Sequence, residues 1–126
     1  MTTLNIARGH QQVMSYITVQ GAYRFMDFLK NVFEAEEQLT VPRTDDLVMH
    51  AEMKIGDSTL LVSDAVEKEA VRTSELFIYV PDTEATYNKA LSEGATSLLA
   101  PEGSDYAKQT AGVKDAYGNT WWLHTL

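Results

Sequence analysis

The chain has 126 residues, 44% hydrophobic and 22% charged, which is an ordinary composition for one soluble globular domain. Its net charge of −8 argues against broad binding to nucleic acid or to an anionic membrane, because both require a basic face. The absence of cysteine excludes disulfides, thiolate metal sites and a cysteine nucleophile. The sequence has neither an apolar run of membrane-spanning length nor an apolar signal core, so we expect a cytoplasmic protein.

The first half of the chain predicts the order strand, helix, three strands. Residues 1–12 are polar and are expected to be irregular. Apolar periodicity then predicts a strand over 13–19, a helix over 21–33, and strands over 36–42, 47–55 and 58–63. In the strand over 47–55, every second residue is expected to face the core, namely Met49, Ala51, Met53 and Ile55.

The second half repeats this order after a linker over residues 64–74. A strand over 75–80 precedes a helix with Asp82 as its N-cap and Gly94 at its end, and strands follow over 96–100, 106–114 and 119–126. Val19 and Val80 precede the two helices with an offset of 61 residues (80 − 19). We therefore predict an α+β fold of two βαβββ modules, 13–63 and 75–126, each a curved mixed sheet with a helix on its outer face, within one domain, 1–126.

Four fragments carry a family resemblance that covers nearly the whole chain. They read FLKNVFEAEE (28–37), MHAEMKIGDS (49–58), YVPDTEATY (79–87) with GAT (94–96), and GVKDAYGNTWW (112–122). Together they resemble the vicinal-oxygen-chelate (glyoxalase/bleomycin resistance/dioxygenase) superfamily, and more narrowly its PhnB-like, 3-demethylubiquinone methyltransferase-like branch. The resemblance implies paired βαβββ modules, assembly as a homodimer, and a small-molecule cleft on the concave sheet surface.

The resemblance also implies where a divalent metal would be held in catalytic members. The four ligand positions fall here on Met14, Leu61, Glu75 and Trp122, and the 61-residue repeat pairs 14 with 75 and 61 with 122. Only Glu75 has a side chain that binds a hard or borderline metal. We therefore expect no standard metal site and no cofactor, although a divalent metal at relocated ligands stays open.

Strand alternation assigns the side chains of the predicted cleft face. It predicts Trp121 and Leu123 on the helix side and Trp122 in the cleft. The predicted cleft residues are Met14, Tyr16, Thr18, His50, Glu52, Thr59, Leu61, Ser63, Glu75, Phe77, Tyr79, Thr120, Trp122 and His124. Of these, Glu75, His50 and Glu52 are the candidates for a catalytic role.

Three functional hypotheses follow from this face, each with a structural alternative. The aromatic set Tyr16, Phe77, Tyr79 and Trp122 suits a planar or cationic ligand, or else packing across an interface. Glu75 or Glu52 beside His50 suits metal-free acid–base chemistry, or else salt bridges. His50, Glu52, Glu75 and His124 together would be a displaced metal site, or else ordinary polar contacts.

These hypotheses lead to one preferred function and one alternative. We expect a small-molecule binding protein, or a metal-independent activity, with no nucleic-acid or membrane partner. The alternative is a metal-dependent glyoxalase- or dioxygenase-type enzyme with relocated ligands. Whether the protein is an enzyme stays open, and methyltransferase activity is disfavoured because no Gly-rich nucleotide loop follows a strand.

Overall fold

The structure, a computed structural model, describes residues 2–126. The first module contains β1 (Tyr16–Val19), α1 (Ala22–Phe33), β2 (Glu36–Pro42), β3 (Val48–Ile55) and β4 (Ser58–Asp64). A 3-10 turn, Lys68–Ala70, lies in the linker, and the second module contains β5 (Glu75–Tyr79), α2 (Thr83–Ser92), β6 (Thr96–Glu102), β7 (Gln109–Lys114) and β8 (Thr120–Thr125). This order confirms the two predicted βαβββ modules. Within residues 2–126, no helix is long and apolar enough to cross a membrane.

The two modules form separate four-stranded sheets of the same topology. The first sheet has the order β1-β4-β3-β2 and the second β5-β8-β7-β6. The pairs β1–β4 and β5–β8 are parallel, and the remaining pairs are antiparallel. Tyr16 pairs with Leu61 (61 − 16 = 45), and Phe77 pairs with Trp122 (122 − 77 = 45). The register of the parallel ladder is therefore the same in both modules when they are offset by 61 residues.

A polar residue at the end of the fourth strand holds the start of the helix in each module. Asp64 Oδ1 accepts hydrogen bonds of 3.0 Å from the backbone N–H groups of Gly21 and Ala22. Thr125, 61 residues later, accepts from the N–H of Thr83 at 3.0 Å. These side chains satisfy N–H groups that a helix start leaves without an intrahelical partner. Each helix is thereby tied to the last strand of its own module.

The helices bring the two modules together around a continuous apolar core. Helix α1 contacts β1, β3 and β4 as well as α2, which in turn contacts β6, β7 and β8. The ring of Phe33 lies 4.5 Å from that of Trp121, which is buried as predicted. Complete burial of such a side chain stabilises the fold by about 1.5–3 kcal/mol. The modules therefore contact each other through the helix sides of their sheets.

The predicted core face is wrong at the start of β3. Val48 is completely buried, whereas 46% of Met49 is exposed. The pairing with β2 slips here, because Pro42 pairs with Val48 while its neighbour Val41 pairs with His50. A bulge of this kind reverses the alternation locally. From Ala51 onward the prediction is right, since Ala51 and Met53 are fully buried.

Three predicted strand boundaries also change by two residues or more. Strand β1 begins at Tyr16 rather than at residue 13, and β7 begins at Gln109 rather than at 106. Strand β6 continues through Pro101 to Glu102. The linker takes part in the first sheet, because Arg72 and Thr18 exchange two backbone hydrogen bonds of 2.8 and 2.9 Å. Arg72 thus covers part of the outer edge of β1.

Candidate functional site

The side of each sheet that faces away from the helices carries the residues predicted for the cleft. Because Ile17, Val19 and Val62 point into the core, the alternate residues of β1 and β4 point the other way. We call the resulting surfaces the first cleft face, with Tyr16, Thr18, His50, Glu52, Leu61 and Ser63, and the second cleft face, with Glu75, Phe77, Tyr79, Trp122 and His124. Met14 lies just before β1 and is half-buried.

A chain of hydrogen bonds crosses the first cleft face. Tyr16 Oη lies 2.9 Å from His50 Nδ1, and His50 Nε2 lies 2.9 Å from Glu52 Oε2. The other carboxylate oxygen of Glu52 lies 2.8 Å from His10 Nε2. Because a carboxylate only accepts, His50 Nε2 is the donor in this pair, and in the corresponding neutral tautomer Nδ1 accepts the hydrogen bond of the Tyr16 phenol. The hydrogen bond from His50, followed by that from His10, lowers the pKa of Glu52.

His10 reaches Glu52 because the N-terminal segment lies over the first sheet. The N–H of Thr59 donates to Gln11 Oε1 at 2.8 Å, and its hydroxyl donates to the carbonyl of Gly9 at 2.7 Å. Thr59, predicted to line the cleft, is consequently only 3% exposed. Residues 9–11 are irregular as predicted, but sequence reasoning gave His10 no role.

Aromatic rings cluster on the second cleft face. The rings of Phe77 and His124 are stacked, with their centroids 3.6 Å apart and their planes 10° from parallel. The rings of Tyr106 and Tyr79 lie 5.6 and 6.3 Å from His124. His124 is only 2% exposed, whereas Phe77 is 56% exposed and both tyrosines 64%. Tyr106 was not among the predicted cleft residues, because it was placed at the start of a predicted strand, whereas it lies in the loop before β7.

Trp122 lies beside this cluster in a position set by two neighbours. Its Nε1 donates a 2.8 Å hydrogen bond to Glu75 Oε2. Gly112 on β7 pairs directly with Trp122 on β8. A β-carbon at Gly112 would collide with the six-membered ring of the indole. The indole therefore lies across the neighbouring strand at the one residue without a side chain. Gly112 was not among the predicted site residues, although its pairing with Trp122 follows from the β7–β8 register.

The residues do not fit the metal site that the resemblance implies. Met14, Leu61 and Trp122 offer no suitable ligand, and the carboxylate of Glu75 accepts from the indole of Trp122. Among residues 2–126, no three or more histidine, aspartate or glutamate side chains are placed to hold a metal ion. The four residues considered for a displaced metal site are also divided between the two sheets. His50 and Glu52 lie on the first sheet, and Glu75 and His124 lie on the second.

Comparisons with known proteins agree with this architecture. No protein-family model matches the chain. An uncharacterized protein of Mycobacterium tuberculosis is 28% identical, with 94% of this chain and 83% of the relative covered. A PhnB protein from Bacillus cereus has a TM-score of 0.78 at 17% identity, with 92% of this chain and all of that chain covered.

Two further solved structures decide the fold. A member of the glyoxalase/bleomycin resistance/dioxygenase superfamily from Sphaerobacter thermophilus has a TM-score of 0.63 at 14% identity over 92% of this chain and 98% of its own. The chain has the glyoxalase/bleomycin resistance/dioxygenase fold. The fosfomycin resistance protein FosX from Mesorhizobium loti shares this fold, with a TM-score of 0.68 at 18% identity over 92% of each chain. In this glyoxalase-fold protein, however, the four positions at which the family resemblance places metal ligands hold one carboxylate.

Proposed function

We propose that the protein binds a planar aromatic small molecule on the second cleft face without a metal ion. The observation that carries this proposal is the set of exposed rings arranged around the buried imidazole of His124. Phe77, Tyr79 and Tyr106 are each more than half exposed. This is unusual, because aromatic side chains contribute a large favourable free energy when their apolar surface is buried. A flat ligand that stacks on them would remove this apolar surface from water.

The charges near the rings favour a neutral or cationic ligand over an anion. Glu75 lies at the edge of the second cleft face, where its carboxylate is held by Trp122. The chain as a whole carries a net charge of −8. A cation placed over the aromatic faces would be attracted both by the rings and by the nearby carboxylate.

We further propose that a homodimer completes the cleft. Within residues 2–126, no side-chain hydrogen bond or ring contact joins the first cleft face to the second. The modules of one chain instead meet through their helix sides, as the contact between Phe33 and Trp121 illustrates. Pairing the first cleft face of one protomer with the second cleft face of its partner would enclose the exposed rings between two walls.

Titration with the planar dye acridine orange tests the binding proposal. The variant Phe77→Ala/Tyr106→Ala removes two stacking rings, and Val66→Ala removes an exposed apolar side chain of the linker as a control. We expect saturable binding that weakens about tenfold or more in the double variant and is unchanged in the control. Equal binding by all three proteins would contradict the proposal.

Metal-free acid–base chemistry on the first cleft face is a second candidate function. The observation in its favour is the hydrogen-bonded series Tyr16–His50–Glu52, in which Glu52 orients the imidazole and the imidazole faces the exposed phenol. In this arrangement Tyr16 would exchange a proton with a bound substrate, while His50 accepts or returns the phenol proton.

The metal-dependent alternative is tested by elemental analysis of protein purified without a chelating tag. We expect no stoichiometric Zn, Ni, Mn or Fe. About one equivalent per chain that is lost in His50→Ala/Glu52→Ala would overturn the metal-free proposal. A glyoxalase activity would appear as turnover of the hemithioacetal of methylglyoxal, and its absence together with the absence of metal removes that alternative.

A further inference from the structure

A cavity lies at the junction of the two modules, along the outer edge of β5, and Phe77 and Tyr79 of the second cleft face also line it. It has a volume of about 770 Å³ and opens where the β3–β4 turn approaches β5 and α2. We call it the junction groove. Its floor is apolar and consists of side chains from both modules: Val32, Phe33, Leu60, Leu76, Ile78 and Trp121. The volume falls within the range of about 300–1,000 Å³ that is typical of small-molecule sites.

The internal repeat shows what fills the corresponding place in the other half of the molecule. There, the β7–β8 turn carries Tyr117, whose ring centroid lies 5.3 Å from that of Phe25 and 6.4 Å from that of Phe28. The same ring comes within 3.7 Å of the ideal β-carbon position of Gly21 at the start of α1. An aromatic side chain from one module thus closes the junction against the N-terminal half of α1 in the other module.

The junction groove lacks each of these aromatic groups. The β3–β4 turn contains only Gly56 and Asp57 between its paired strands, so it carries no counterpart of Tyr117. The helix positions equivalent to Phe25 and Phe28 are Thr86 (25 + 61) and Lys89 (28 + 61). Both line the groove. The groove therefore exists because the three aromatic rings of Tyr117, Phe25 and Phe28 have no aromatic counterparts in this half of the molecule.

The charges around the groove are predominantly negative. Glu34, Asp57 and Asp82 line it together with a single cation, Lys89. The C-terminal end of α1 also borders it, and a helix C-terminus favours cations. The N-terminal end of α2 borders the groove as well, but it is already capped by Asp82, whose Oδ1 accepts from the N–H of Ala85 at 3.1 Å. An anion would gain little there.

We propose that the junction groove binds a small molecule made of a single aromatic ring that carries an ammonium group. The ring occupies the position that Tyr117 fills in the other half, against the apolar floor. The ammonium group lies at the acidic rim, near Asp57 and the end of α1. The apolar floor of this site lies on the helix side of the sheets, whereas the second cleft face lies on the opposite side, and Phe77 and Tyr79 border both. The proposal does not depend on the function proposed for the second cleft face.

Three probes that share a benzyl or phenyl ring and differ in charge test the site: benzyltrimethylammonium, benzyl alcohol and benzoate. Binding is followed by backbone amide chemical shifts in two-dimensional ¹H–¹⁵N NMR spectra of the full chain. We expect saturable shifts at groove residues such as Ile55, Leu60 and Ala85, with affinity in the order ammonium, alcohol, benzoate. Binding of benzoate equal to that of the ammonium, or no shifts at these residues, would overturn the proposal.

Substitutions at Thr86, the repeat equivalent of Phe25, distinguish binding in the junction groove from binding at other surfaces. Thr86→Phe restores the ring found at Phe25 and fills the groove, so binding of benzyltrimethylammonium is expected to fall tenfold or more, whereas Thr86→Val, which keeps the size, retains it. Asp57→Asn is expected to weaken the ammonium about two- to fivefold and to leave benzyl alcohol unchanged. Tyr106→Ala, on the second cleft face, is expected to have no effect. Unchanged binding in a folded Thr86→Phe variant would place the ligand elsewhere.

Discussion

The indole Nε1 of Trp122 donates a 2.8 Å hydrogen bond to Glu75 Oε2, which joins two of the four positions at which the family resemblance places metal ligands. Trp122 stands at one of these positions, and its indole is hydrogen-bonded to Glu75, which is the only carboxylate among the other three positions. The bond crosses from β8 to β5 on the second cleft face, next to the exposed rings. It fixes the edge of the indole on the surface for which we propose ligand stacking.

A double-mutant cycle measures this bond. Trp122→Phe removes the donor and Glu75→Gln removes the charge of the acceptor. Because the pair is exposed, we expect a coupling free energy of about 0.5–1 kcal/mol in urea unfolding. Two single-variant effects that simply add would show that the bond contributes nothing to stability.

Gly112 is expected to be intolerant of even one added carbon. Gly112→Ala places a methyl group against the indole of Trp122, so the ring must move, at a cost of about 1–3 kcal/mol in unfolding free energy. Binding of acridine orange should weaken in the same variant. Gly103→Ala is the matched control, because its β-carbon would meet nothing closer than the carbonyl of Lys108 at 3.6 Å. Equal stability of the two variants would disprove the close approach.

Asp115 is expected to be the most sensitive polar residue of the β7–β8 turn. It is buried, its Oδ2 accepts from Trp121 Nε1 at 2.8 Å, and its Oδ1 accepts from the N–H groups of Tyr117 and Asn119 at 2.9 Å. Asp115→Asn replaces one acceptor by a donor that faces these donors, which should cost about 2–4 kcal/mol. Thermal or urea unfolding measures the loss, and the exposed Asp105→Asn should be nearly neutral.

Glu52 is expected to give the protein part of its acid sensitivity. Hydrogen bonds from His50 and His10 lower its pKa below the ordinary value of 4.5. The folded state therefore binds this proton less readily than the unfolded state, so the contribution to stability is present above pH 4.5 and is lost as pH falls through the lowered pKa. Glu52→Gln should reduce the unfolding free energy at pH 7, and its difference from the wild type should shrink below pH 4.5.

Urea unfolding between pH 7 and pH 3 measures this dependence. Glu102→Gln, at an exposed position of β6, is the control and should change the pH profile little. A stability difference between wild type and Glu52→Gln that stays constant over this range would show that the two imidazoles do not stabilise the carboxylate.

The sequence by itself determined the module order and the separate roles of the two tryptophans. Alternation along β8 places neighbouring side chains on opposite faces, and the family resemblance, supported by the 61-residue repeat, implies that Trp122 stands at a ligand position. Both inferences rest on short-range periodicity, which the backbone obeys wherever the strand is regular. At Met49 the strand is not regular, and the prediction failed there because a bulge depends on the partner strand rather than on the strand itself.

Only the tertiary structure decided which side chains from distant parts of the chain meet. His10 contacts Glu52 from 42 positions away, and Gly112 matters because the ring of Trp122 lies over it. The junction groove arises where Thr86 and Lys89 replace two rings across an interface between modules. Such contacts depend on how sheets and helices pack in space, and local periodicity carries no record of which surfaces will face each other.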